Sequence, residues 1–145
     1  LVYDIKKDDE FYLKNKIEMT SFNFLIENSD IITLHTPLTD KTYKFIGRQE
    51  FNKMKKNAVL INTARGKLVN EKDLFYALKT NKIDSAAADV FFDEPPKNYE
   101  LLKLQNFIIS PHIGGSTTDS ILKMGIAAIN GLDNAQDPLN FLQYK

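Results

Sequence analysis

Short, dense apolar runs alternate with longer stretches of helical periodicity along most of this chain. Leu1-Val2-Tyr3 reads as a strand ending on Asp4, and Ile17-Glu18-Met19 as another brief strand. Between them, Lys6 to Lys16 is polar, with Phe11, Tyr12 and Leu13 as the apolar patch of a short helix. Ser21 caps a predicted helix to about Glu27, with Phe22, Leu25 and Ile26 at helical spacing. Ile31 to Leu34 is a β-rich run that ends at His35-Thr36-Pro37, where the proline forces an exit from a sheet. Lys41 to Lys56 is amphipathic, and Gly47 divides it into two predicted short helices. Ala58 to Ile61 is continuously apolar, the pattern of a strand covered on both faces. Asn70 caps a predicted helix to about Thr80. Ala86-Ala87-Ala88 has helical propensity, but its place before Asp89 to Pro96 argues for a strand over Ile83 to Val90. Leu101-Leu102 packs a short turn, Phe107-Ile108-Ile109 is a strand, and a helix runs from about Thr117 to Asn134. Residues 136–145 read as a tail.

Regular alternation of strand and helix predicts an α/β fold, a doubly wound parallel sheet with helices on both faces. The 145 residues fit one domain, and 43% hydrophobic with 26% charged content predicts a folded, soluble chain. Basic and acidic residues balance at 19 each, which gives no electrostatic case for nucleic acid or an anionic membrane. No apolar run approaches the roughly 20 residues of a membrane span. The absence of cysteine excludes a disulfide frame and a thiolate metal site, no metal is expected, and a cytoplasmic location is consistent with it.

The chemistry-bearing residues gather where strands end. Asn62-Thr63-Ala64-Arg65-Gly66 follows one strand, Asp89 to Glu94 a second, and Ser110-Pro111-His112-Ile113-Gly114-Gly115 a third. A parallel sheet puts all carboxyl ends of its strands on one edge, so Arg65, Glu94 and His112 are able to converge from distant positions. Taken singly, each has a plainer reading. A strand-end arginine is often a surface ion-pair partner, Glu94 sits before two prolines in a loop, and a lone histidine is commonly structural. Together they suit a carbonyl-handling site. Arginine holds a carboxylate with two parallel hydrogen bonds. Glutamate orients an imidazole and favours its charged form. Histidine then exchanges a proton with a carbonyl or hydroxyl oxygen. The carbon needs a second reagent, and hydride from a nicotinamide is the natural one. Asp4, at the end of its strand, is placed to accept hydrogen bonds from adenosine ribose hydroxyls, although a simple turn aspartate is the plainer alternative. The Gly114-Gly115 pair reads as a turn that admits the nicotinamide end.

These residues resemble the D-isomer-specific 2-hydroxyacid dehydrogenases. Four blocks carry the likeness in the family's order: Ser29 to Thr39, Asn62 to Gly66, Ala88-Asp89-Val90-Phe91 with Glu94-Pro95, and Ser110 to Gly114. The resemblance implies a Rossmann-type fold, NAD as cofactor, and Arg65, Glu94 and His112 as catalytic residues. It also implies cofactor contacts at Asp4, His35, Thr36, Pro37, Thr63, Ala64 and Asp89, with Asp89 near the nicotinamide amide. The implied substrate is a small 2-oxo or D-2-hydroxy acid, and the implied assembly a homodimer, with the apolar residues of Ile121 to Leu132 partly interfacial. The Gly114-Gly115-Ser116-Thr117 continuation is most similar to the 3-phosphoglycerate branch, which serves serine biosynthesis. Hydroxypyruvate and glyoxylate reductases are close rivals, and some relatives are NADH-sensing corepressors.

One departure from the family stands out. No Gly-x-Gly occurs in the chain, so the phosphate loop, the first strand and the helix after it are missing. The expectation is therefore an incomplete Rossmann sheet. Residues 1–135 form part of an NAD-binding domain, the substrate domain is absent, and a chain of this extent turns over little by itself.

Overall fold

The computed structural model describes residues 1–135. Its described elements, in order, are α1 (Asp9–Lys14), α2 (Phe22–Asn28), β1 (Ile31–Leu34), α3 (Arg48–Lys53), β2 (Val59–Asn62), a 3-10 turn (Gly66–Leu68), α4 (Glu71–Lys79), β3 (Ser85–Ala88), α5 (Tyr99–Leu102), β4 (Phe107–Ile109) and α6 (Thr118–Asp133). The chain divides into two compact units, one to His112 and one from Ile113 onward.

In the first unit the four strands form one parallel sheet in the order β1-β2-β3-β4. The register is flush at the carboxyl edge. Leu34 pairs with Asn62, Asn62 with Ala88, and Ala88 with Ile109. The next residue of each strand, His35, Thr63, Asp89 and Ser110, therefore emerges on one line. The ladder continues one step past the strands, with Asp89 N–H donating to the Asn62 carbonyl and Ser110 N–H to the Ala88 carbonyl, both at 3.0 Å.

Three helix caps are in place. Ser21 accepts from Phe24 N–H, Asn70 from Lys72 N–H, and Thr117 from Ser120 N–H, each satisfying an orphan donor of a first helical turn. The alanine run is a strand, because Leu60 and Phe107 flank it in register on either side. Ala86 and Ala88 are buried in the same core cluster as Leu74, Ala77 and Leu78 of α4. The core closes with Phe51, Ile26, Ile46, Leu60, Leu68, Ile83 and Leu101, all essentially buried.

Other expectations are corrected. Leu1-Val2-Tyr3 and Ile17-Glu18-Met19 do not form extended strands. They meet in a single parallel bridge, Val2 to Met19, with Val2 N–H on the Glu18 carbonyl and Thr20 N–H on the Val2 carbonyl. The Lys6–Lys16 helix shortens to α1, which starts at the Asp8 cap. Lys41 to Lys44 forms turns, so only the half after Gly47 is helical, with Glu50 reaching back to the Gly47 N–H at 3.0 Å. β2 is not covered on both faces: Leu60 and Asn62 are buried, while Val59 and Ile61 are half-buried. β1 alternates more sharply, with Ile31 and Thr33 exposed and Ile32 and Leu34 buried.

In the second unit, Gly114-Gly115 forms a turn closed by Ser116 N–H on the Ile113 carbonyl, and α6 follows. Its Ile121, Leu122, Met124, Ile126, Ile129 and Leu132 are exposed. No helix among the described residues is long and apolar enough to cross a membrane. The predicted tail, residues 136–145, lies outside the described residues.

Candidate functional site

The flush carboxyl edge gathers the polar strand ends. At the β3–β4 end, the Asp89 carboxylate is buried and accepts the Ser110 hydroxyl at 2.5 Å. A carboxylate takes that position only with donors around it, and Ser110 on the neighbouring strand end supplies one. Beyond them, the His112 Nδ1 and Glu94 Oε2 stand 2.7 Å apart. An ionised carboxylate only accepts, so Nδ1 carries the proton and Nε2 is the nitrogen left to face a ligand. The other oxygen of Glu94 accepts the Phe91 N–H at 3.1 Å. The bond from His112, followed by that amide, holds the Glu94 carboxyl below its ordinary range.

Local backbone sets this geometry. His112 follows Pro111 in a left-handed conformation, φ 55°, which costs a non-glycine residue about 1 kcal/mol. Strain of that kind gathers at functional segments. The Glu94–Pro95 peptide is cis. Phe91, Pro95, Pro96, Ile109 and Pro111 wall a largely apolar cleft of about 340 Å³ that has Glu94 and His112 in its lining.

At the β1–β2 end, His35, Thr36, Pro37 and Leu38 line a second, open cleft with Ala64 and Arg65. Buried Asn62 shapes it. Its Oδ1 accepts the Ala64 N–H at 3.1 Å and its Nδ2 donates to the Arg65 carbonyl at 3.0 Å. An asparagine that ends a strand and bonds the backbone two and three residues on makes a self-closing turn. That turn projects Arg65, whose guanidinium donates to the Ala64 carbonyl at 2.7 Å. Gly66 follows because no side chain fits: a Cβ there would lie 1.9 Å from the backbone of Phe91.

The predicted residues thus fall into distinct groups. Glu94 and His112 meet directly, and Asp89 lies beside them closely enough for its charge to act on Glu94. His35, Thr36, Pro37, Ala64 and Arg65 share the other cleft, with Thr63 exposed at its strand end. Asp4 joins neither group, and its carboxylate caps its own turn through the Lys6 N–H at 2.8 Å. Gly114 and Gly115 form the turn that opens the second unit. Sequence reasoning assigned nothing to Asn62, Ser110 or Gly66, which build the two ends. The asparagine at a strand terminus was the one available signal.

The sequence pattern described as D-isomer specific 2-hydroxyacid dehydrogenase, NAD binding domain, matches residues 1–114. Among characterised proteins, the chain is 53% identical over 98 residues to a D-3-phosphoglycerate dehydrogenase of Methanocaldococcus jannaschii, covering 68% of the chain and 19% of that protein. It is 43% identical over 135 residues to a glyoxylate reductase of Thermofilum pendens, covering 91% of the chain and 40% of that protein. Among solved structures, a glyoxylate reductase from Paecilomyes thermophila superposes with a TM-score of 0.84 at 34% identity, over 92% of the chain and 40% of its own. An NAD-complexed D-isomer specific 2-hydroxyacid dehydrogenase from Lactobacillus delbrueckii ssp. bulgaricus gives 0.80 at 31%, over 94% and 46%. The chain spans less than half the length of each of these relatives.

Proposed function

The chain belongs to the D-isomer specific 2-hydroxyacid dehydrogenases, within their NAD-binding domain, and from that premise we propose that it carries the acid–base half of an oxidoreductase interconverting a 2-oxo acid and a D-2-hydroxy acid. The observation that supports this most is the 2.7 Å His112–Glu94 contact at the carboxyl edge of a parallel sheet. Bound NADH supplies a hydride for the ketone carbon. His112 donates the proton to the ketone oxygen from Nε2, while Glu94 holds Nδ1 and balances the imidazolium. Arg65 takes the substrate carboxylate in its fork and polarises the ketone. In the reverse direction His112 accepts the hydroxyl proton.

The cleft of His35, Thr36, Pro37 and Ala64 is assigned to the cofactor, since it is open and next to Arg65. Thr63, Asp89, Gly114 and Gly115 are assigned to the cofactor as well, and Asp4 to its ribose. These 145 residues hold no Gly-x-Gly and are read as a partial NAD-binding domain. For the substrate we favour the 3-phosphoglycerate/3-phosphohydroxypyruvate pair of serine biosynthesis, in the cytoplasm. The 53% identical relative bears that enzyme's name. A homodimer uses the exposed apolar residues of α6.

The test is a kcat/KM comparison on the protein of the full reading frame, with NADH and 3-phosphohydroxypyruvate, hydroxypyruvate or glyoxylate. Preference for the phosphorylated acid is the expected result. A preference for glyoxylate overturns the substrate assignment, and no NADH oxidation with any 2-oxo acid overturns the reading.

A further inference from the structure

Glu94 uses both oxygens, one on His112 and one on the Phe91 amide of its own turn. Its position is therefore the position of the Phe91–Glu94 turn, and a side chain from another element grips that turn. The Phe92 N–H donates to Glu71 Oε1 at 2.7 Å, across 21 residues of sequence and in a partly buried setting. Glu71 is the first residue of α4, which is anchored in the core through Leu74, Ala77 and Leu78. The turn is held on other sides too. Gly66 lies against the Phe91 backbone, so close that no Cβ fits between them. The Phe92 ring meets Tyr43 edge-on at 6.3 Å, with the Lys44 and Lys67 ammonium groups over it at 5.2 and 5.3 Å.

We infer that Glu71 is a positioning residue for the proposed reaction, its carboxylate clamping the Phe92 amide so that Glu94 meets the His112 ring. The assignment rests on the dehydrogenase reading for its effect on rate, but not for its geometry. A charge-assisted bond to a backbone amide is stronger than a neutral one and fixes direction as well as distance. Asp93, Glu94 and Pro95 are exposed, so the hold on Phe91 and Phe92 sets where the Glu94 end of the turn lies. Losing the clamp lets the carboxylate drift, and displacements near 1 Å cost catalysis heavily.

A plainer role for Glu71 is electrostatic, since acidic residues in a first helical turn stabilise the helix through its dipole. Reach separates the two. Aspartate keeps the charge but is one methylene short of Phe92, whereas glutamine keeps the reach and the acceptor oxygen but loses the charge. In the protein of the full reading frame, the low-field imidazole proton of His112, identified by its loss in His112→Ala, should persist in Glu71→Gln and be lost to exchange in Glu71→Asp and Glu71→Ala. kcat should fall about tenfold or more in Glu71→Asp and Glu71→Ala with KM for the 2-oxo acid within about twofold, and Glu71→Gln should retain most of it. An undiminished imidazole proton in Glu71→Asp overturns the proposal, as does a Glu71→Gln protein that behaves like Glu71→Asp. If the imidazole proton follows reach while even the unsubstituted protein oxidises no NADH, the positioning role stands and the dehydrogenase reading falls.

Discussion

The two ends of the sheet's carboxyl edge are built differently. At the β3–β4 end, side chains find partners far along the chain: Ser110 on Asp89 across 21 residues, and His112 with Glu94 across 18. At the β1–β2 end, contacts stay local: His35 Nε2 with the Thr33 hydroxyl at 3.0 Å, and the Arg65 guanidinium with the adjacent Ala64 carbonyl. The first end, to which the proposed reaction gives the proton transfer, already has its hydrogen bonds made within the chain. The second presents Arg65 and an open cleft lined by His35 to Leu38 and Ala64, which the proposed reaction gives to substrate and cofactor. Acid–base chemistry demands a fixed hydrogen bond, whereas recognition of an anion demands an uncommitted fork.

Substitutions should break that contrast to graded extents. The largest effect is expected from Gly66→Ala, because the new methyl group meets the Phe91 backbone and something must shift to admit it. We expect a loss of at least about 3 kcal/mol, read as a lowered thermal unfolding midpoint. Unchanged stability would show that the two loops are not in contact. Next, His112→Ala should lower kcat in the full-reading-frame protein by roughly 10², about 2.7 kcal/mol of barrier, with little change in KM. A rate within twofold of the original would remove His112 from the chemistry. Arg65→Lys should act at the other end and on the other parameter, raising KM for the 2-oxo acid about tenfold, since a point charge does not replace the bidentate fork. A pure kcat effect would mean that the two ends share one task.

The smallest effect is a pH dependence. The carboxyl of Glu94 is held below its ordinary value of 4.5, first by His112 and then by the Phe91 amide. A carboxyl lowered in the folded state stabilises the fold above its unfolded value, and that contribution is lost as pH falls through the folded value. The advantage of the original protein over Glu94→Gln in urea should therefore be complete at neutral pH and fade as pH drops below 4.5. The side chain is 40% exposed, so solvent screening keeps the difference small. A difference that stays constant from neutral to acidic pH would place the origin of Glu94's contribution elsewhere.

α4 and α6 sharpen the lesson from another side. α4 buries three of its nine residues, while α6, with sixteen and a more apolar composition, leaves Ile121, Leu122, Met124, Ile126, Ile129 and Leu132 exposed. Apolar periodicity identifies both helices equally well and says nothing of what covers either. Burial depends on a partner surface, which is a tertiary or quaternary fact.

What the amino-acid order determined by itself is local. Proline after Thr36, asparagine before the Glu71 helix, and the β-branched and aliphatic runs of β1, β2 and β4 set their elements through backbone sterics and side-chain caps, which act over a few residues. The motif residues Arg65, Glu94 and His112 were legible because strand ends in a parallel sheet must share an edge. Tertiary structure alone decided which of them touch. It paired Glu94 with His112, set Arg65 in another cleft with His35 to Pro37, and left Leu1 to Tyr3 with one bridge rather than a strand. It also recruited Glu71 and Gly66, whose spacing from Phe91 and Phe92 carries no pattern. Their proximity to Phe91 and Phe92 is set by how the segment after β2, the start of α4 and the segment after β3 pack together.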